Sequence, residues 1–396
     1  MLRRVRVGGG VGGITALPQY RSGRFDMLVS ERQSIVIPSA RLGRRGFLKG
    51  LCGTSALSVL GGCGTLSSEP SLPPVGTVGQ AAFLAPLSGP QSAVGQMMRA
   101  AASLGGNDIG PGAEVAVYDS GGTEEEAVTA ARAAVAGGAR MLLGPLLSGQ
   151  SRAVAAAVGR VPVVALTNDS SVAGGNLFVF GITPLQSARA VIGFAATRGK
   201  RRIGVVVPST EFGQLQSTAA ATAGAAVGAT VLAPVVTDTS ADLISRLGHD
   251  GALPNAVYLP IVGGAFTEQA AVLKAAGVQI LGSDQWSSII PYRTPALLDA
   301  WFAAPDPIRY EAFALAFEEQ SGGEAGVLAG LAFDAVEMAR LLGRLGQQDR
   351  EGLLRDGGFD GVLGPYRFTD AGQCDRALAV LGVQQGATVL IGATGG

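Results

Sequence analysis

The sequence has very few of the side chains that carry most nucleophilic, acid–base and metal chemistry. It contains one histidine in 396 residues, His249, within Gly-His-Asp-Gly, which is typical of a loop. Catalytic triads and metal sites need several such groups in one place, so a single loop histidine argues against both. We find no G-x-S-x-G motif and no glycine-rich phosphate loop with its lysine. The sequence therefore predicts a protein that is not an enzyme and holds no metal or cofactor.

Cysteine is also scarce, and its placement excludes a disulfide-stabilised fold. Two of the three cysteines, Cys52 and Cys63, stand in an N-terminal segment that has the features of a leader and an anchor. Only Cys374 is left in the body, so the mature protein has no pair for an intramolecular disulfide. A chain of this length can bury a core that needs no such cross-link.

Charged residues make up only 15% of the chain, and their zero sum hides an uneven distribution. Residues 1–62 hold ten Lys/Arg and two Asp/Glu, so 20 basic and 28 acidic residues remain after position 62, a net charge of −8. An acidic body argues against a nucleic-acid partner. Apolar residues amount to 47%, which is enough for a folded core, and the length suits two lobes.

The N-terminal segment carries the features of an export signal. Arg44-Arg45-Gly-Phe-Leu-Lys resembles the twin-arginine motif, and the apolar run at 51–62 is too short to span a bilayer. Leu-Gly-Gly-Cys at 60–63 resembles a lipobox, which implies that the thiol of Cys63 accepts a lipid; the alternative is a buried cysteine. We expect residues 1–62 to be a signal with an N-terminal extension and 63–78 a flexible tether. The protein would then be a membrane-anchored lipoprotein of the periplasm.

From residue 80 onward, short apolar runs alternate with alanine-rich amphipathic segments. The pattern predicts strands at 80–86, 114–118, 141–143, 161–166, 202–207, 230–235, 256–259 and 279–282. It predicts helices at 93–104, 151–158, 186–197, 212–226, 240–247 and 268–276, and a further helix that begins after Thr123, which caps it. This alternation favours an α/β fold of two Rossmann-like lobes, each a parallel sheet with helices on both faces.

Ligands of such folds bind at the carboxyl ends of the strands, so the loops there are the candidate site. These loops are rich in Ser, Thr, Asn, Asp and Gly, a set suited to hydrogen bonding rather than catalysis. Three of them carry Phe-Leu-Ala-Pro-Leu-Ser-Gly-Pro at 83–90, Leu-Gly-Pro-Leu-Leu-Ser-Gly at 143–149 and Phe-Val-Phe-Gly-Ile-Thr-Pro at 178–184. They resemble, in order, signature segments of the type I periplasmic binding proteins of the leucine/isoleucine/valine-binding group.

The resemblance covers about residues 80–390 and implies two lobes joined by three crossings, with a ligand cleft between them. We expect lobe 1 at 79–183 plus 306–345, and lobe 2 at 184–305 plus 346–396. By position in the family, the ligand-binding residues are Ser88, Ser148, Thr167, Asp169, Phe212 and Asp284.

The resemblance gives these residues separate roles. Ser148 would receive an amino-acid carboxylate, Thr167 would offer backbone groups, and Phe212 would form a wall of the cleft. Asp284 would pair with an ammonium group, as charge-assisted hydrogen bonds favour. Each polar side chain also has a structural interpretation. Ser148 would cap a helix, Asp169 would be a turn residue, and Asp284 would be a solvated loop acid.

Two positions depart from the leucine-binding pattern. Val94 replaces an aromatic residue, and Asp169 replaces a threonine that would bind the amino-acid head group. A second carboxylate there would repel a carboxylate ligand. Both departures leave the identity of the ligand open.

A second branch of the fold is similar in other segments. Trp-Phe-Ala-Ala-Pro-Asp-Pro at 301–307 and Leu-Ala-Gly-Leu-Ala-Phe-Asp-Ala-Val at 328–336 resemble the penicillin-binding-protein activator lipoproteins. That resemblance implies an envelope scaffold that regulates a peptidoglycan synthase, with Trp286, Tyr292 and Trp301 as partner anchors or core residues. The alternative is a substrate-binding protein that closes by hinge motion on an amino acid or related small polar ligand and delivers it to an ABC importer permease.

Overall fold

The computed structural model describes residues 19–20, 80–104, 114–249 and 251–393. Of the predicted leader only residues 19–20 are described; Arg44 and Arg45, as well as Cys63 and the predicted tether, lie outside the described residues. The described residues all belong to one compact unit of the chain. A two-residue strand, β1 (Gln19–Tyr20), is followed by the elements of the body.

The first sheet is parallel throughout and has five strands. They are β2 (Gln80–Ala85), β3 (Val115–Asp119), β4 (Ala139–Leu143), β5 (Val163–Ala165) and β6 (Leu177–Val179), in the order β3-β2-β4-β5-β6. Its first helices are α1 (Ser92–Ser103), α2 (Glu124–Ala136) and α3 (Ser148–Ala157). The strands of this sheet other than β3 are largely buried, as their near-continuous apolar sequences predict. Strand β3 lies at an edge of the sheet.

The start of α2 shows how local sequence sets an element. The hydroxyl of Thr123 accepts a hydrogen bond from the Glu126 amide, and the Glu126 carboxylate accepts one from the Thr123 amide. This reciprocal capping box satisfies two of the amide groups that a helix start leaves unpaired. The predicted capping role of Thr123 is confirmed.

The next segment supplies most of a second sheet. Its strands are β7 (Arg202–Val207), β8 (Thr230–Val231), β9 (Val235–Val236), β10 (Ala256–Tyr258), β11 (Gln279–Gly282) and β12 (Trp301–Ala304). Helix α4 (Pro184–Thr197) precedes these strands, and the helices between them are α5 (Glu211–Ala226), α6 (Leu243–Leu247) and α7 (Phe266–Ala275). These strands pair in parallel, as predicted.

The chain then returns to the first sheet before it completes the second. Helices α8 (Pro307–Ser321), α9 (Val327–Leu345) and α10 (Arg350–Leu353) precede a two-stranded hairpin of β13 (Tyr366–Phe368) and β14 (Cys374–Arg376). Strands β15 (Ala379–Gln384) and β16 (Ala387–Ala393) finish the second sheet, whose order is β1-β16-β15-β12-β11-β10-β7-β8, with β9 on β7.

The carboxyl-terminal part of the second sheet is antiparallel, whereas the sequence predicted parallel pairing only. Strand β15 pairs antiparallel with both β12 and β16. Two residues join β15 to β16, and the second is Gly386 with φ +77°, a conformation that suits glycine in a tight hairpin turn. A parallel neighbour would have required a long crossover connection, which this segment does not have.

Apolar clusters cover both faces of each sheet. On one face of the first sheet, α1, α8 and α9 pack together with Phe359, Tyr366 and Phe368. The ring of Phe368 contacts that of Phe178, and the ring of Tyr366 contacts that of Phe180. Residues 353–374 therefore pack with the first sheet, although the sequence analysis assigned them to the second lobe. The chain thus passes between the sheets after β6, after β12 and after β14.

Candidate functional site

A cleft of about 770 Å³ opens where residues that follow strands of the first sheet face residues that follow strands of the second. It lies at the carboxyl ends of parallel strands, where α/β sheets bind ligands. Five of the six predicted ligand-binding residues line it: Ser148, Thr167, Asp169, Phe212 and Asp284. Ser88 is placed elsewhere, in the loop after β2, where its amide donates to a carboxylate oxygen of Asp119 at 3.2 Å.

Ser148 is the first helical residue of α3, which begins three residues earlier than predicted. The preceding residue, Leu147, is the N-cap, and it supplies no side-chain cap bond. The proposed capping role of Ser148 for a helix beginning at 151 therefore does not apply. Amide groups at a helix start carry partial positive charge, so this end of α3 is a favourable place for an anionic group in the cleft.

Thr167 and Asp169 form a local hydrogen-bonded turn at the cleft surface. The Thr167 hydroxyl accepts from the Asp169 amide at 3.2 Å. The Asp169 carboxylate accepts from the amide of Ser171 at 2.9 Å and from its hydroxyl at 2.6 Å, and so caps the short 3-10 helix Ser170–Val172. Asp169 is thus a turn residue, and its negative charge also faces the cleft.

Asp284 is the most unusual group in the cleft. It follows β11, and its residue is only 8% exposed. The Ser187 hydroxyl donates to one carboxylate oxygen at 2.6 Å, and the Gln285 amide group donates to the other at 3.3 Å. Burial raises the pKa of Asp284 to about 6, although both hydrogen bonds act in the opposite direction. Asp284 is therefore a buried acid and not the solvated loop acid that was the alternative interpretation.

Apolar side chains form the rest of the cleft. Phe212 and Leu215 contribute from α5, and Val327, Leu328 and Leu331 contribute from α9. Val94, which replaces the expected aromatic residue, packs against the core of the first sheet, and Met97 from the same helix lines the cleft. The cleft thus combines a few polar groups with apolar walls, as ligand sites usually do.

Arg152, Glu211 and Ser187 are among the residues of the site that sequence reasoning missed. Arg152 lines the cleft four residues after Ser148, a helical spacing that places both on one side of α3 and could have been recognised. Glu211 is the first residue of α5, directly before the predicted Phe212. Ser187 has no signal in the sequence, because its contact with Asp284 joins residues 97 positions apart.

The aromatic residues considered as partner anchors contribute instead to packing. Trp286 has no exposed surface, donates from Nε1 to the Leu259 carbonyl at 3.0 Å, and stacks on Phe302. Trp301 packs edge-on against Phe194. Trp286 therefore cannot anchor a partner on the surface of this fold.

The remaining chemical features of the described residues are few. Across the described ranges, no group of three or more His, Cys, Asp or Glu side chains is arranged to hold a metal ion. His249 is exposed, and its Nδ1 lies 3.2 Å from the Arg246 carbonyl. No helix in the described part of the chain is long and apolar enough to cross a membrane. Cys374 is buried with a free thiol.

Comparison with known proteins gives the family. The model of the periplasmic binding proteins matches residues 80–388, which is most of the chain and includes the whole cleft. The chain belongs to the periplasmic binding protein family, in its type I branch. No curated protein sequence matches it.

Solved structures of this periplasmic binding protein fold match at low identity. A Rhodospirillum rubrum protein described as a branched-chain amino acid ABC transporter has a TM-score of 0.65 and 21% identity, over 79% of this chain and 99% of that one. The C-domain of LpoA from Haemophilus influenzae, a regulator of PBP1A, has a TM-score of 0.63 and 18% identity, over 79% of this chain and 99% of that one. The leucine-binding protein LivK from Thermotoga maritima has a TM-score of 0.55 and 20% identity, over 80% of this chain and 98% of that one. At these identities the likeness shows the fold, which both candidate functions share.

Proposed function

We propose that this chain is a solute-binding protein that holds a small polar ligand in its cleft and presents it to an ABC importer permease. The observation that carries the proposal is the burial of the Asp284 carboxylate among neutral hydrogen-bond donors. Its carboxylate is buried in the cleft, and within the described residues its hydrogen bonds come from the neutral groups of Ser187 and Gln285. A buried carboxylate without a counter-charge is costly, and a ligand ammonium would supply that charge.

The rest of the cleft fits the other parts of such a ligand. The amino-terminal end of α3, with Ser148, offers amide and hydroxyl donors for a carboxylate. Thr167 adds backbone and hydroxyl groups, and Phe212 covers the apolar part. The role is one of binding and release, with no catalytic step.

Hinge closure is the mechanism that the architecture favours. The two lobes are the two sheets with their helices, and the first lobe includes residues 353–374, which pack with the first sheet. A ligand that contacts both lobes stabilises the closed form by its greater affinity for that form. The three crossings after β6, β12 and β14 are the positions that would bend.

The proposed role places the protein at the envelope. The twin-arginine segment with Arg44 and Arg45 would direct export, and a lipid on Cys63 would hold the body near its permease. The expected result for Cys63→Ala is loss of the lipid label that a fatty-acid analogue places on the protein, because the thiol is the acceptor. A label that persists in the variant would count against the anchor.

A second candidate function is an envelope scaffold that regulates a peptidoglycan synthase. One observation favours it. Ile308 and Leu315 on α8 are 57% and 58% exposed, and Ala312 lies between them on the same side of the helix. An exposed apolar stripe of this kind is suited to contact with a partner protein.

Ligand-induced stabilisation separates the two functions. Thermal unfolding of the purified full chain is measured with amino acids, amides and muropeptides. A ligand at 100 times its dissociation constant adds about 2.7 kcal/mol to the free energy of unfolding, a readily detected shift. A shift that Asp284→Asn abolishes supports the solute-binding role. No shift with any compound, together with capture of a synthase that Leu315→Ser prevents, would support the scaffold.

A further inference from the structure

The charged side chains of the cleft are unequally divided between the two signs. Asp169, Glu211 and Asp284 bring three carboxylates to its lining, and Arg152 brings one guanidinium. Among the described lining residues the formal charge is therefore −2 when all four are ionised. An amino acid with an uncharged side chain has no net charge and would leave this imbalance in place.

The acidic groups come from both sides of the cleft. Asp169 belongs to the first sheet, whereas Glu211 at the start of α5 and Asp284 after β11 belong to the second. Closing the cleft brings these like charges closer together and removes water from between them, which strengthens their repulsion. A ligand with positive charge between the two sides reverses the sign of this contribution, so the charge of the ligand affects closure directly.

Arg152 lines the cleft from the side of the first sheet. It lies one helical turn after Ser148 on α3. A guanidinium beside a helix amino-terminus attracts an anionic group, and it can bind a carboxylate with two hydrogen bonds. The lining thus has one site for a carboxylate and several for cations.

We propose that the ligand is a net-cationic amino compound, with one carboxylate held near Ser148 and Arg152 and two cationic groups distributed between Asp284 and the acids Asp169 and Glu211. A basic amino acid is the simplest molecule with this charge pattern. The side chains of Phe212 and Leu215 provide apolar surface for the methylene chain between its charges. This inference rests on the proposed solute-binding role and names the class of solute.

A matched set of ligands tests the charge requirement. Binding of lysine, norleucine and glutamate to the full chain is measured by titration calorimetry at low and high salt. Lysine and norleucine share the head group and the straight apolar chain and differ by one terminal ammonium. We expect lysine to bind at least tenfold more tightly than norleucine, glutamate to bind least, and the difference to shrink as salt screens the charges.

Variants locate the effect in the cleft. Asp169→Asn and Glu211→Gln should each weaken lysine binding by up to about fivefold and leave norleucine unchanged, since both acids are partly solvated. The matched control is Glu268→Gln, which also removes an acid from the first turn of a helix, α7, but does not line the cleft. This control variant should leave the affinities for lysine and for norleucine unchanged.

The possible results separate the two proposals. Norleucine or glutamate binding as tightly as lysine would overturn the inference about charge and leave the solute-binding role intact. Binding of none of these ligands, nor of the wider thermal-unfolding panel, would overturn both. Loss of lysine binding in Glu268→Gln to the same degree as in Glu211→Gln would show a long-range charge effect and reject the assignment to the cleft.

Discussion

Replacing Asp284 with asparagine should make the ligand-free protein more stable while it weakens ligand binding. Asparagine has nearly the same shape and can still accept the hydrogen bond that Ser187 donates, so the change removes the charge and, besides it, only the 3.3 Å hydrogen bond from Gln285. Moving the pKa of Asp284 from its ordinary 3.8 to about 6 corresponds to about 3 kcal/mol of unfavourable free energy for the ionised form in the fold. At pH 7 the free energy of unfolding of the variant should therefore exceed that of the wild type by most of this amount.

The sign of the pH dependence follows from the direction of the shift. Between pH 4 and pH 6 the folded protein binds a proton at Asp284 that the unfolded chain has already released. The free energy of unfolding therefore decreases as pH rises through this window, and the whole cost is present above pH 6. At pH 4 the folded carboxyl is almost fully protonated and the unfolded one is about half ionised, so most of the cost is gone and the variant should come within about 0.6 kcal/mol of the wild type.

Urea unfolding of the ligand-free wild type and Asp284→Asn at pH 4 and pH 7 measures the difference in their free energies of unfolding at each pH. The control is Asp370→Asn, because the Asp370 side chain is 94% exposed and its replacement should change stability by no more than about 0.5 kcal/mol. A variant Asp284→Asn that is less stable than the wild type at pH 7, or equally stabilised at both pH values, would refute the reasoning.

The same acid sets the pH dependence of binding. With a pKa of about 6, Asp284 is mostly ionised at pH 7 and about one-tenth ionised at pH 5. A ligand whose ammonium needs the ionised form should therefore bind about tenfold more weakly at pH 5. Titration calorimetry at the two pH values, with Asp284→Asn as the variant that should lose this dependence, checks the expectation.

Three further predictions concern the body of the fold. Arg376→Met should cost about 3–5 kcal/mol in urea unfolding, because Arg376 pairs with buried Asp334 at 3.0 Å; exposed Arg367→Met on the neighbouring strand should cost little. Thr123→Ala should cost about 1 kcal/mol through loss of the capping box, and equal stability would show that the cap contributes nothing. Burial raises the pKa of the Cys374 thiol to about 12, so iodoacetamide should label it only after unfolding, as mass spectrometry would show.

Much of the α/β pattern could be predicted because buried parallel strands have uninterrupted apolar sequences. β7 and β11 have the predicted bounds, Arg202–Val207 and Gln279–Gly282. The predicted strand 230–235 is instead two short strands, β8 and β9, because the chain between them leaves the edge of the sheet. The antiparallel β15 and β16 were not predicted, since strand–helix alternation indicates parallel pairing and a hairpin interrupts that pattern.

The site could be predicted in part for a related reason. Ser148, Thr167, Phe212 and Asp284 each follow a strand, and the carboxyl ends of parallel strands meet at one edge. Ser88 also follows a strand, but its amide donates to the Asp119 carboxylate outside the cleft, which the position alone could not reveal. The burial of Asp284 depends on tertiary packing, so no pattern in the sequence could give it.

The first turn of α4 connects the ligand acid to two of the crossings between the sheets. Ser187 in this turn donates to Asp284, and the preceding Gln186 accepts from the Thr183 amide at the first crossing. The side-chain amide of Gln186 also donates to the carbonyl of Cys374, two residues before the chain crosses for the third time. A ligand that withdraws the charge of Asp284 from Ser187 therefore changes the hydrogen bonding of a turn that holds both crossings. Because hydrogen bonds are directional, Asp284 would be able to bias hinge closure in the proposed solute-binding role.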